Sequence, residues 1–374
     1  MTPDKSKQRV VIKIGSSSLT SRHGEISLKK LEKLVDEVVY LKDLGHEVVL
    51  VSSGAVAAGY RKLGCLKRPS SLPEKQAAAS IGQGLLMESY SKLFLSHGYV
   101  ASQILITRSD FLDEDRYKNV RNTLNVLLER GIIPIVNEND TVTVDRLKFG
   151  DNDTLSAKVA GLVDSDQLVI LSDIDGLYSA DPTKHAHAKL LEHVDEITPE
   201  IEAAAGGSGS AVGTGGMKSK IEAVKIAMAS NIATFLGNAS TENIVVDAVS
   251  GKAKGSYFKT ETPSINLNQK KKWIAFNSRP EGEIIIDHLA KKRMIENKQS
   301  LLPSGIYQVD GQFEKGAVIR IIDTYGNEIG CGVVNFSTEE LEQLTKQGSD
   351  GTSNPPSVMD INLFVCHSDV PITV

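Results

Sequence analysis

Between Arg9 and Val249 short apolar runs alternate with longer amphipathic stretches, and no other feature limits the fold of this chain as strongly. Arg9–Ile14, Glu47–Val51, Ala101–Ile106, Ile132–Val136, Gln167–Leu171 and Ala233–Leu236 have the length and β-branched content of buried strands. Leu28–Leu44, Pro73–His97, Tyr117–Arg130, Thr154–Val163 and Met217–Ser230 read as the helices between them, the first bounded by Ser27 and Gly45. Such alternation predicts an α/β three-layer sandwich around a mainly parallel sheet, covered on both faces. Residues 259–273 are polar, lack sustained periodicity and read as a linker after a first domain at 1–258. Beyond them, Gly282–Ile286, Gly305–Val309, Ala317–Ile322 and Gly330–Val334 describe a small C-terminal β-barrel over 274–347.

Composition excludes several classes of function. The balance of 42 Lys and Arg against 47 Asp and Glu gives a net charge of −5, which argues against a general polyanion binder. Cys65, Cys331 and Cys366 are odd in number and far apart, and fit neither a zinc-ligand spacing nor a secreted disulfide framework. No apolar run approaches the roughly 20 residues that span a bilayer, and MTPDKSKQR leads into a strand without a signal-peptide core. A cytoplasmic protein with no membrane segment is the expectation.

The chemistry concentrates between Gly131 and Asp153. The strand over Ile132–Val136 ends in Asn137, Glu138, Asn139 and Asp140, and Thr141–Phe149 alternates like a hairpin. That hairpin returns the chain to Gly150, Asp151, Asn152 and Asp153, which open a helix. Ligands of open α/β sheets bind outside the carboxyl ends of the strands, so these groups face the ligand crevice. Capping of the helix N-terminus explains part of the acid content, but two Asn/Asp clusters exceed what one cap requires.

Three other turns belong to the same edge. Lys13, Gly15, Ser16, Ser17 and Ser18 follow the first strand; the spacing is not that of a P-loop, and the choice between a phosphate site and a plain turn stays open. Ser52, Ser53, Gly54 and Ala55 follow the second and could hold a carboxylate as readily as a phosphate. Ser172, Asp173, Asp175 and Gly176 follow the fifth, with Leu177 and Tyr178 as an apolar wall for a base. The Gly-rich stretch Gly206–Gly216 either links or folds over a ligand, and Lys220 in the next helical turn opposes the helix dipole unless an anion sits there. Gly82 and Gly84 in the long helix suggest close packing or a partner surface.

The motifs VVIKIGSSSLT, VSSGAVAAG, IPIVNENDTV, FGDNDTLSA, LSDIDGLY with its following ADP, and GTGGMKSK stand in one order along the chain. In that order they resemble the amino acid kinase family, and within it the branch acting on L-glutamate at the start of proline biosynthesis. The C-terminal segments resemble a PUA module. The resemblance implies ATP-dependent phosphorylation of the glutamate side-chain carboxylate, with Mg2+ and without dedicated protein ligands for the metal. It implies Lys13 and Lys220 on the transferred phosphoryl group with Asp153 between them. Glutamate would be held by Ser53, Asp140 and Asn152, completed by Asn137 and Asp151. ATP would be held by Lys13, Gly15, Ser16, Ser172, Asp173, Thr214, Gly215, Gly216, Met217, Lys218, Ser219 and Lys220. It further implies proline as a feedback inhibitor, a homo-oligomer and a glutamyl-phosphate reductase partner.

Two features depart from that pattern. Residues 348–374 do not resemble the usual closing segment, so the last strand of the barrel is expected to be replaced or disordered. Residues 274–346 carry 8 Lys and Arg against 11 Asp and Glu, which argues against strong RNA binding by the barrel.

Overall fold

The computed structural model of the chain describes residues 7–21, 25–143, 152–182, 184–185, 187–205, 216–259, 269–347 and 356–367. It divides into two units, one formed by Met1–Asp110 and Asp115–Thr262, the other by Phe111–Glu114 and Pro263–Val374.

Among the described residues the first unit is built on eight strands: β1 (Arg9–Ile14), β2 (Glu47–Val51), β3 (Ala101–Ile106), β4 (Ile133–Glu138), β5 (Gln167–Ser172), β6 (His193–Val194), β7 (Ala233–Asn238) and β8 (Ser256–Phe258). They lie in the order β3-β4-β2-β1-β5-β7-β8-β6. Neighbours from β3 to β7 are parallel, and β8 turns against β7, so the sheet is mainly parallel. Its central strands are apolar on both faces because helices cover both: Val10, Val11 and Ile12 are all buried. The helices are α1 (Ser16–Leu19), α2 (Leu28–Asp43), α3 (Ala55–Gly59), α4 (Leu72–Ser96), α5 (Arg108–Leu112) and α6 (Glu114–Glu129), of which Phe111, Leu112 and Glu114 belong to the second unit, then α7 (Asn152–Leu162), α8 (Pro199–Ala205), α9 (Met217–Ala229) and α10 (Ile244–Val249). Leu31, Leu34, Val35 and Val38 form the inward stripe of α2, spaced at three and four residues as an amphipathic helix requires.

The short helix α3 crosses α4 at backbone contact. A Cβ on Gly59 would lie 1.9 Å from the Ala78 carbonyl oxygen, and one on Gly82 would lie 1.8 Å from that of Ala55. Only glycine fits at this crossing. Gly84, two residues on, faces open space. Gly82→Ala is therefore expected to force the helices apart and lower stability by about 1–3 kcal/mol. Gly84→Ala, which only gains helix propensity, should raise stability by up to about 1 kcal/mol. Urea midpoints of the two variants check this pair; equal midpoints would contradict the close crossing.

In the second unit the elements are α11 (Gln269–Phe276), β9 (Gly282–Ile286), α12 (His288–Ile295), β10 (Ile306–Gly311), β11 (Val318–Asp323), β12 (Glu328–Val334), α13 (Thr338–Gln347) and β13 (Met359–Cys366). The sheet runs β10-β9-β11-β12-β13 around a core that includes Ile284, Ile286, Ile319, Ile321 and Val334. Two findings differ from the sequence reading. The stretch 259–273 contains the start of α11, which buried Trp273 and Ile274 anchor; the Trp273 indole N–H donates to the Phe111 carbonyl at 3.0 Å, inside this unit. The stretch from Gly348 on supplies β13, a paired strand rather than an irregular end, held by buried Met359, Phe364 and Cys366 and antiparallel to β12. No helix among the described residues is long and apolar enough to cross a membrane.

Candidate active site

Strands β4, β2, β1 and β5 are parallel neighbours, so their carboxyl ends share one edge of the sheet. The turns after these strands carry the polar residues singled out in the sequence. Gly54, at φ 97°, turns the chain from β2 into α3 in the left-handed conformation that glycine adopts without strain.

A charge cluster stands at this edge. Lys13 is the penultimate residue of β1, in register with Val51 and Ile170 on its neighbours, and is buried. Asp153 is the second residue of α7 and is fully buried. Lys220, also buried, closes the first turn of α9. The Lys220 ammonium donates to Asp153 Oδ2 at 3.0 Å, and the Lys13 ammonium pairs with Oδ1 of the same carboxylate. Ser219 adds a hydroxyl that donates to Asp153 Oδ2 at 3.3 Å and to the Gly216 carbonyl at 2.8 Å. Burial alone pushes the Asp153 carboxyl up, but the charges of Lys13 and then Lys220 outweigh it and hold the group below the usual carboxylate range. The site thus keeps a charged carboxylate as the common anchor of two ammonium groups from different parts of the chain.

Beside it runs a chain of amides. Asn152, next to Asp153 in the first turn of α7, donates from Nδ2 to Asn137 Oδ1 at 2.8 Å and to Ser53 Oγ at 3.0 Å, and also meets the Ser52 carbonyl. Asn137 ends buried on β4, donates from Nδ2 to Gln83 Oε1 at 2.9 Å and accepts the Glu138 N–H at 2.9 Å. The helix α4 also holds the segment after β4, since Gln76 Nε2 donates to the Thr143 carbonyl at 3.2 Å. Gln83, which accepts from Asn137, and Gln76, which donates to the Thr143 carbonyl, are residues that the sequence does not single out. Their only signal is polar residues inside a long helix otherwise rich in Ala, Gly and Leu.

The remaining residues distribute as follows. Gly15 caps α1 and lies under the Lys13 ammonium, 3.9 Å from the position of an added Cβ. Ser16 opens α1 and accepts the Thr20 N–H and hydroxyl through its carbonyl at 3.0 and 2.9 Å. Ser172 is buried at the end of β5 and donates to Asp173 Oδ1 at 3.1 Å, while Asp173 is exposed. Asp140 is half-buried in the turn after β4. Leu177, read as part of an apolar wall, is instead buried in the core, with its N–H donating to Ser256 Oγ at 2.8 Å; Tyr178 is half-buried. Gly216, Met217, Lys218 and Ser219 form the cap and first turn of α9, with Lys218 exposed. Asp151, Thr214, Gly215 and most of the hairpin expected over 141–149 lie outside the described residues.

This arrangement suits an anion more than a proton. Two ammonium groups fixed by one carboxylate supply directed positive charge, and the neighbouring amides supply neutral donors and acceptors of fixed orientation.

Known proteins resemble this chain along most of its length. Residues 8–238 match the model of the amino acid kinase family, and residues 282–352 match that of the PUA domain. Glutamate 5-kinase 2 of Bacillus licheniformis is 64% identical over 368 residues, covering 98% of this chain and 99% of that protein. Glutamate 5-kinase 2 of Bacillus subtilis is 62% identical over 374 residues, the full length of both, and glutamate 5-kinase 1 of the same organism is 46% identical over 92% of this chain and 94% of its own. Likeness at this level along whole chains, on top of the family match, shows that the chain belongs to the amino acid kinase family, among the glutamate 5-kinases.

Proposed function

We infer that the chain transfers the γ-phosphoryl group of ATP to the side-chain carboxylate of L-glutamate, forming L-glutamyl 5-phosphate for proline biosynthesis in the cytoplasm. The observation that carries this reading is the single buried carboxylate of Asp153 holding Lys13 and Lys220 beside the Asn137–Asn152–Ser53 amide chain.

A carboxylate oxygen is already a nucleophile at neutral pH, so the reaction needs no general base. Phosphoryl transfer of this kind is accelerated by alignment and by charge placed where it develops. Lys13 and Lys220 supply that charge to the phosphoryl oxygens, and Asp153 keeps the two cations together against their mutual repulsion. Glycine at Gly15 leaves room for a phosphate to approach the backbone next to the Lys13 ammonium. Ser172, Asp173 and the segment from Thr214 to Lys220 hold the nucleotide. Ser53, Asn137, Asp140, Asp151 and Asn152 orient glutamate. Magnesium, when bound, would neutralise phosphate charge, with water and phosphate oxygens rather than dedicated protein groups as its ligands, which suits a cation that keeps much of its hydration. Feedback by proline, a homo-oligomer and a reductase partner that consumes the labile acyl phosphate belong to the same reading.

Incubation with ATP, Mg2+ and candidate acids, with hydroxylamine as a trap, tests it. Hydroxamate should form with glutamate; formation from acetylglutamate or aspartate and not from glutamate would overturn the assignment. Asn152→Ala should raise the glutamate KM on the order of 10-fold, the worth of one or two lost hydrogen bonds, with a smaller change in kcat. Steady-state kinetics with glutamate varied at saturating ATP reads this; an unchanged KM would remove Asn152 from the substrate pocket.

A further inference from the structure

The second unit contains a set of donor side chains that the phosphoryl-transfer chemistry does not use. Glu328, Cys331 and His367 each offer one atom, and the three atoms lie within 4.8 Å of one another. Glu328 Oε1 is 3.7 Å from Cys331 Sγ and 2.9 Å from His367 Nε2.

Backbone irregularity creates this convergence. Residues three apart on a regular strand point to opposite faces. On β12, however, Ile321 pairs with Gly330 and Ile322 with Glu328, so Ile329 is an extra residue against β11. That bulge shifts the parity of the strand and brings Glu328 to the face of Cys331. Residue 331 pairs with Val365 on β13, and just beyond that strand the His367 N–H donates to the Ile329 carbonyl at 2.8 Å, which fixes the imidazole beside the other two. Arg320 lies across from Cys331, but its guanidinium donates to Glu283 at 2.9 Å.

We propose that Glu328, Cys331 and His367 bind one divalent transition-metal ion of the zinc type, bridging the end of β13 to the bulged start of β12. Thiolate, imidazole and carboxylate are the three donor types of zinc sites, whereas Mg2+ and Ca2+ take oxygen donors. Tetrahedral bonds of about 2.0–2.3 Å place ligand atoms about 3.3–3.8 Å apart, and the two separations from Glu328 are within an ångström of that range. Three protein ligands leave the fourth position to water. Binding converts the Cys331 thiol to a metal-bound thiolate and releases its proton to solvent. Cys331 and His367, far apart in the sequence, are brought together by the pairing of β12 with β13.

The test uses the tag-free full chain after dialysis against a chelator, with Co2+ as the probe. A thiolate-to-cobalt charge-transfer band should grow to one equivalent per chain and vanish on addition of one equivalent of Zn2+, while excess Mg2+ leaves it unchanged. Cys331→Ser should abolish the band, Cys65→Ser should keep it, and Glu328→Gln and His367→Ala should weaken binding at least about 10-fold. Fluorescence emission of Trp273, the chain's single tryptophan and buried in the same unit, measured on each variant and expected to match the parent, shows that loss of the band reports a lost ligand and not a lost fold. Absence of a thiolate band in the parent, its survival in Cys331→Ser, or unchanged affinity in both Glu328→Gln and His367→Ala would overturn the site, leaving an ordinary Glu328–His367 ion pair.

Discussion

Replacing Lys220 with methionine is expected to lower turnover on the order of 10²-fold or more while the glutamate KM changes little. Methionine keeps much of the apolar stem of a side chain that is buried in the first turn of α9, so packing is largely retained. What disappears is the ammonium group 3.0 Å from Asp153 Oδ2. A cation that meets charge best matched in the transition state contributes to kcat and not to ground-state affinity for the other substrate. Steady-state kinetics at saturating ATP, with near-ultraviolet circular dichroism to verify the fold, decides the matter. A folded variant with near-parental kcat would show that Lys220 serves only to satisfy Asp153.

Asp153→Asn attacks the same cluster from its centre, and its effect is larger in one respect. Removing the carboxylate leaves the Lys13 and Lys220 ammonium groups buried together without their shared anion, and breaking a buried pair in this way destabilises by about 3–5 kcal/mol. Turnover should fall on the order of 10²-fold as well, since the two cations no longer hold one position. The pH dependence gives a separate signature. Folding holds the Asp153 carboxyl below its ordinary value, so its contribution to stability is complete above the unfolded pKa of about 3.9 and is lost as pH falls toward the lower folded value. Urea unfolding from pH 7 into that acid range should therefore show the gap between parent and variant narrowing as the pH falls. A gap that stays constant would mean that the carboxylate charge is not what holds the lysines.

Much of the first unit was legible because its strands are short, apolar and bounded by turn residues. Glu47–Val51 and Ala101–Ile106 have the same limits in the sequence reading and in the structure, and Gly282–Ile286 does so in the second unit. Lys13, Asp153 and Lys220 each stand out at a strand end or helix start, but their joining through one carboxylate is implied in the sequence only by the family resemblance. What stayed hidden depends on tertiary pairing. A two-residue strand such as β6 or a three-residue one such as β8 has no periodicity to detect. Gln83 joins the site only because the α3–α4 crossing at Gly59 and Gly82 brings α4 close enough for its amide to reach Asn137. The strand over Met359–Cys366 was obscured by the polar, proline-containing stretch before it, and the linker reading of 259–273 overlooked how a single tryptophan can anchor a basic helix.

The ion cluster and the amide chain are closed by contacts that span long stretches of polypeptide: Lys220 stands 67 residues after Asp153, and Ser53 stands 99 residues before Asn152. Each such closure must overcome the entropy of a long loop before it yields any stabilisation, so these contacts form late, after local helices and hairpins. On the ribosome the consequence is sharper. A nascent chain that has not yet released α9 has Lys13 and Asp153 but lacks the second cation, however well its earlier strands have paired. On the role proposed for Lys220, such a chain is expected to turn over ATP at the reduced rate of the Lys220→Met variant until α9 has docked.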